Sequence, residues 1–373
     1  MRITSNELQT AKILWNDVES FYNLIEQFIY EIIFKNSKIS IPIHLLKTFS
    51  AVQLDQLFNK IKEYSNVLNV ELFKNNIDYM NDQQNEKFES FFNDQILKIF
   101  GHKFSKRIIQ NSKLDIQIGK NESCHPLTFD MFNHKTFSVY MKICLNSLYS
   151  DTNIRKIIHE LGHVLYFNSY KKQPNLIKLL SPNSAIHEAI GETFILIHNS
   201  CKTGIFSEKS RIEMLLKEAL TSFVRLPFAL SLEEWRKGLF QEQQKINSSK
   251  INLDYWNYRT QYQKIIPTEY SGLQPLSKFH VVNFMPYLRY YFSVFITHQL
   301  YETFCGEYSN YCCLNKTIIS RFDKFLSSDL INFEQNWKEL TGKEWNYDSG
   351  PLLRYYKPLI EWLENRTNLK NKA

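Results

Sequence analysis

Glycine and proline are scarce in this 373-residue chain, at ten each, while aromatic residues make up 15% of it, with 28 Phe and 21 Tyr. Few breakers and many large apolar side chains argue for long helices packed as one body. A run apolar enough to cross a membrane is also lacking. The most apolar stretch, Tyr287 to Phe304, carries Arg289, His298 and Glu302, and reads as a core helix. Met1 to Asn16 lacks the apolar centre of a signal peptide. There is no internal repeat, and no low-complexity segment beyond an Asn/Lys/Gln bias around Asn75 to Lys87. The net charge of +7 is spread along the chain and forms no nucleic-acid motif, so it predicts a merely basic surface, with Lys370 and Lys372 in a solvated tail.

What is present is mostly helical pattern. Residues 6–112 read as amphipathic helices broken near Ser37 to Pro42 and Asn75 to Asn85. Residues 113–145 change character: Leu114, Ile116 and Ile118 alternate with polar residues, as do Phe137, Val139, Met141 and Ile143. That alternation predicts a small antiparallel β-sheet just before the next helix. An edge strand of such a sheet can hold an extended peptide by main-chain hydrogen bonds. Helix returns for residues 150–365, with loops near Ser181, Asn247 to Asn252, Pro267 to Leu276 and Tyr308 to Asn315.

The chemistry is concentrated in two short clusters. Residues 159–163 read His-Glu-Leu-Gly-His, the HExxH zinc signature. Ser150, Asp151, Thr152 and Asn153 offer N-caps, and Ile154, Ile157, Ile158, Leu161, Val164 and Leu165 have helical spacing. On that helix His159 and His163 lie at i and i+4 and share a face, so both imidazoles can bind one zinc ion, with Glu160 beside it. The second cluster is His187-Glu188-Ala189-Ile190-Gly191-Glu192, on a helix that starts near Pro182-Asn183-Ser184. Glu188 supplies the carboxylate that two histidines still lack, leaving a fourth position for water. Glu192, one turn on, sits behind it to accept a hydrogen bond from a ligand histidine. Tyr166 and Ser169 stand where the rival zinc pattern needs Gly and His, which excludes that class.

With these clusters, Lys278-Phe279-His280 and Pro286-Tyr287-Leu288-Arg289-Tyr290 complete a pattern that resembles the angiotensin-converting enzyme family. Ile41-Pro42-Ile43-His44-Leu45-Leu46, Cys124-His125 and Tyr356-Lys357-Pro358-Leu359 extend the resemblance, in the same order, over about residues 12–367. It implies a mainly α fold: one large helical ellipsoid with a deep central cleft, and the small sheet next to the HExxH helix. The parts would be a helical cleft wall at 1–112, the sheet at 113–145, and zinc-binding and substrate-anchoring helices at 146–367. It also implies a zinc peptidyl dipeptidase, which releases dipeptides from oligopeptides with a free C-terminal carboxylate.

The resemblance assigns roles residue by residue. His159, His163 and Glu188 match the zinc ligands, and Glu160 the general base that deprotonates the attacking water. Tyr290 and His280 match donors to the tetrahedral oxyanion. His125 matches a residue binding the substrate backbone, and Lys278 and Tyr287 match anchors of the C-terminal carboxylate. Arg289 matches a chloride-linked arginine, so chloride joins zinc as an implied ion. Cys124 and Cys144 match a disulfide pair, and Cys305 with Cys312 or Cys313 resembles a second, while Cys201 has no evident partner. Disulfides imply an oxidising, extracellular compartment, and sequons at Asn121, Asn247, Asn315 and Asn365 agree.

Departures from the family pattern set the alternatives. Val52 stands where an amide helps hold the substrate carboxylate, with Gln53 one residue later. Pro126 after His125 removes one backbone N–H, and Glu192 replaces a shorter Asp. The chain also begins about one third of the way into the family's catalytic domain. A catalytically impaired peptide- or protein-binding relative, and a zinc endopeptidase that has lost C-terminal anchoring, are therefore the alternatives to the dipeptidase.

Overall fold

The structure is a computed structural model, and it describes residues 5–34, 41–46, 54, 57, 85–118, 126–131, 137–145, 151–170, 173, 184–203, 208–241, 248–267, 274–307, 311–328 and 331–371. Helix dominates them, and none of their helices is long and apolar enough to cross a membrane. The chain divides into two compact units, each assembled from separated segments. The first comprises Met1–Leu72, Phe206–Phe295 and Tyr347–Ala373, and the second Phe73–Ile205 and Ile296–Asn346.

The first unit grows from the helix Ser5–Phe34. Leu8, Ala11, Trp15, Val18, Tyr22, Ile25 and Ile29 recur every three or four residues and are all buried. This stripe packs on the helices Arg225–Gln241 and Gly350–Asn371. At its centre the Phe21 ring lies 4.5 Å from Phe223 and 5.1 Å from Tyr356. Buried phenols tie the apolar face to backbone: Tyr22 donates to the Gln263 carbonyl at 2.9 Å, and Tyr291 to that of Ala11 at 2.7 Å. Burial therefore leaves both hydroxyls satisfied.

The second unit holds the sheet and both sequence clusters. Strand Val139–Leu145 is central, and its Val139, Met141, Ile143 and Leu145 are buried in strict alternation. The expectation of an antiparallel sheet holds for only one of its two neighbours. Leu127–Asp130 pairs with it antiparallel, but Ser112–Ile118 runs parallel to it, in register from Ser112 opposite Val139 to Ile118 opposite Leu145. Sequence alternation reports which residues share a face, not strand direction. Here the chain leaving Ile118 passes through a third strand before Val139 enters the middle of the sheet, and so long a connection permits a parallel pair.

The helix Asp151–Ser169, which carries HELGH, packs against this sheet, and against it in turn lies the helix Ser184–Thr203. The two helices meet at glycines. A Cβ on Gly162 would fall 2.6 Å from the Gly191 Cα, and a Cβ on Gly191 would fall 2.8 Å from the His159 carbonyl oxygen. Both clashes are with backbone, so neither can be relieved by turning a side chain. Further along, disulfides join Cys305 to Cys312 and Cys201 to Cys313. The sequence left Cys201 without a partner. Cys144 is also disulfide-bonded, while Cys124 lies outside the described residues.

The glycine crossing makes a test of packing. Gly191→Ala should destabilise the protein by about 1–3 kcal/mol, the usual cost of overpacking, and lower the unfolding midpoint. A midpoint equal to that of the parent protein would show that the two helices have slack at this point.

Candidate metal centre

The HELGH helix buries Ile158, Leu161, Val164 and Leu165 and leaves His159 and His163 half-buried on another face. The helix Ser184–Thr203 buries Ala185, Ile186, Ala189 and Ile190 and turns Glu188 toward the same histidines. One ligand atom from each of His159, His163 and Glu188 lies within 4.8 Å of the others. The separations are 3.1 Å between the two histidine Nε2 atoms, 3.3 Å from His159 Nε2 to Glu188 Oε2, and 3.8 Å from His163 Nε2 to that oxygen. Three corners of a tetrahedron around zinc, with bonds of about 2.0–2.2 Å, stand about 3.3–3.6 Å apart. The donor set, two imidazoles and a carboxylate, and its spacing both fit zinc.

Electrostatics point the same way. Burial works against charge on His159, but Glu188 and Glu192 outweigh it and raise the imidazole pKa to about 10. A half-buried ring flanked by two carboxylates calls for positive charge, which either a proton or a metal ion supplies.

Behind each histidine stands a different support. His159 Nδ1 faces Glu192 Oε1 at 3.5 Å, and the other oxygen of Glu192 pairs with Arg155. His163 Nδ1 faces His187 Nδ1 at 3.1 Å, and His187 Nε2 faces the Tyr170 hydroxyl at 3.2 Å. If His163 binds metal through Nε2, its Nδ1 carries the proton and donates to His187. The far nitrogen of His187 is then the protonated one, and it donates to Tyr170. Tyr166 and Phe167 hold the His187 ring, with centroids 4.6 and 4.5 Å away.

Glu160 lies next to the ligands on the helix and is 8% exposed. Its Oε2 accepts a hydrogen bond from the Thr128 hydroxyl at 2.6 Å, across from strand Leu127–Asp130. Thr128, Arg155 and Tyr170 are polar residues of this centre that motif reading missed, and it gives no role to His187, which opens the second cluster. For Tyr170 a signal existed: His163, Tyr166, Phe167 and Tyr170 follow a three-four spacing, so an aromatic stripe shares the face of the second histidine. Thr128 had none, because its partner is remote in sequence.

The remaining expected site residues that are described belong to the first unit. His280 Nε2 and the Tyr290 hydroxyl are 3.0 Å apart, and Arg289 donates to the same hydroxyl at 2.8 Å while lying over the Tyr290 ring. The Lys278 ammonium sits over the rings of Tyr287 and Phe228, 5.2 and 5.5 Å from their centroids. Burial, then Arg225 and Arg259, hold its pKa below the ordinary lysine value. Glu233 fixes the start of this segment: it accepts from the Tyr287 backbone N–H and from Arg236, which also donates to the Met285 carbonyl at 2.7 Å. Its carboxyl is pushed up to about 7 by burial, against the pull of Arg236. His125, Val52 and Gln53 lie outside the described residues.

Comparison with known proteins places the chain in a family. Residues 6–373 match the family model described as angiotensin-converting enzyme, a peptidase family. The chain is 30% identical over 268 residues to angiotensin-converting enzyme of Bos taurus, covering 66% of this chain and 20% of that protein. It is 28% identical over 271 residues to the angiotensin-converting enzyme-related protein of Drosophila melanogaster, covering 66% of this chain and 42% of the relative. Over 383 residues it is 24% identical to angiotensin-converting enzyme of Theromyzon tessulatum, covering 95% of this chain and 60% of the relative. The chain thus spans from about a fifth to three-fifths of the length of these relatives. With a match over nearly its whole length, the chain belongs to the angiotensin-converting enzyme family.

Proposed function

We propose that this protein is a zinc metallopeptidase that releases dipeptides from the free C-terminus of oligopeptides. The observation that carries the reading is the convergence of His159, His163 and Glu188 at the spacing of a tetrahedral zinc site. Zinc, when bound, lowers the pKa of water toward neutrality and polarises a carbonyl. The protein's own groups do the rest. Glu160 takes the proton of the attacking water and passes it to the leaving amine, so one carboxylate serves as base and then as acid. Glu192 and His187 hold the two ligand imidazoles in the tautomer that leaves Nε2 free.

Family membership supports His280 and Tyr290 as donors to the developing oxyanion. Their mutual contact, and the Arg289 guanidinium on the phenol oxygen, agree with that role, since a cation on the oxygen strengthens the phenol as a donor. Arg289 is also our candidate for a chloride-linked arginine. Lys278 is our candidate anchor for the substrate carboxylate, with Tyr287 beside it. An ammonium held among rings, with burial and then two guanidiniums lowering its pKa, gains by meeting an anion. His125 completes the proposed set as a binder of substrate backbone. The disulfides among Cys201, Cys305, Cys312 and Cys313 support an extracellular location.

Three outcomes follow. The purified protein should hold one zinc per chain. Glu160→Gln should keep the metal and lose turnover by about 100-fold or more, whereas Glu188→Ala should lose the metal itself. Elemental analysis beside peptide hydrolysis separates the two, and full turnover by the Gln variant would show that another group activates water.

The support behind His163 can be read without any substrate. His187→Ala should weaken zinc affinity by about 10–100-fold, measured by chelator competition on the metal-free protein. Unchanged affinity would mean that the imidazole behind His163 does not orient it.

Matched free-acid and amidated peptides test the anchor. The free acids should be cleaved faster and yield dipeptides. Equal rates with internal cleavage would replace the dipeptidase with an endopeptidase, and peptide binding without cleavage would favour a non-catalytic relative.

A further inference from the structure

Thr128 is marked by no motif, yet it holds the one carboxylate on which the proposed chemistry turns. Among the described residues, strand Leu127–Asp130 is the edge of its sheet and pairs with Val139–Leu145 alone. Its side chains alternate: Leu127 and Phe129 point outward, 44% and 48% exposed, while Thr128 and Asp130 are more covered. Thr128 lies opposite Met141, which is fully buried, so the sheet core fixes the height of its backbone. Threonine is branched at Cβ and therefore stiff at χ1. Its hydroxyl is thus a fixed donor, and it reaches Glu160 Oε2 at 2.6 Å.

A glutamate on a helix has three rotatable bonds, and nothing intrinsic aims its carboxylate. Holding Oε2 on a rigid hydroxyl removes that freedom and leaves Oε1 to receive a proton. A base kept within a few tenths of an ångström of its working position avoids the cost of ordering at each turnover. We propose that Thr128 is the positioning residue for Glu160: its hydroxyl locks Oε2 so that Oε1 acts as the proton acceptor. This rests on the peptidase reading, and it adds a dependence that HExxH alone does not contain. The base is supplied by the helix but aimed by the edge strand.

Thr128→Val keeps the shape and removes the hydroxyl, while Thr128→Ser keeps the hydroxyl. With zinc bound, the Val variant should lose about tenfold in kcat, the loss of roughly one hydrogen bond, with KM unchanged. The Ser variant should recover most of it. In a Glu160→Gln background, Thr128→Val should change the residual rate no further. A readout independent of turnover is the carboxylate stretch of Glu160 in the metal-free protein, assigned by difference against Glu160→Gln. It should shift in the Val variant and return in the Ser variant. Undiminished kcat in the Val variant, an equal loss in the Gln background, or an unmoved band would overturn the proposal. A zinc-loaded parent that cleaves no peptide, together with a shifted band, would instead overturn the peptidase reading and leave Thr128 as the holder of Glu160.

Discussion

Two glycines set the distance on which the candidate metal centre depends. Gly162 and Gly191 bring the HELGH helix and its neighbour so close that a methyl group on either would enter the other's backbone. Glycine inside a helix costs about 0.5–1 kcal/mol relative to alanine. In a chain with ten glycines, two stand at this one crossing. What the approach secures is reach. Glu188 lies less than one turn before Gly191, and His159 less than one turn before Gly162. With the axes this near, a glutamate and an imidazole of ordinary length meet at 3.3 Å. A wider crossing would leave the carboxylate short of the histidines, whatever their spacing along their own helix.

The centre is asymmetric in a way that bears on its chemistry. Behind His159 stands a carboxylate that also pairs with Arg155, so that arm carries charge. Behind His163 stands an imidazole and then a phenol, packed among aromatic rings, so that arm can be neutral throughout. A carboxylate behind a ligand raises its basicity more than an imidazole does. The two histidines, alike in the motif, therefore differ as candidate ligands. The same division appears in the polar groups of the first unit. There a guanidinium and an imidazole meet at one phenol oxygen, while the buried Glu233 ties down the chain that presents it.

Much of this was legible because it is local. Helix periodicity places His159 and His163 on one face without reference to anything else. Scarcity of breakers and abundance of aromatics argue for helix, and helix dominates the described residues. Alternation in residues 113–145 located two strands, yet could not give their direction, because side chains alternate identically in parallel and antiparallel pairs. Cysteine pairing was open for a related reason. Cys312 and Cys313 are adjacent in sequence, and only the positions of Cys305 and Cys201 decide which bonds to which.

By itself, the sequence determined what spacing within one element can determine: the two-histidine face and the carboxylates one turn apart on the next helix. The tertiary structure alone decided which remote side chains stand behind them. Thr128 reaches Glu160 from a strand, and His187 takes His163 rather than solvent, because the sheet and the glycine crossing fix separations of a few ångströms between elements. Such distances are set by packing of whole faces, and packing leaves no periodic trace in a single chain.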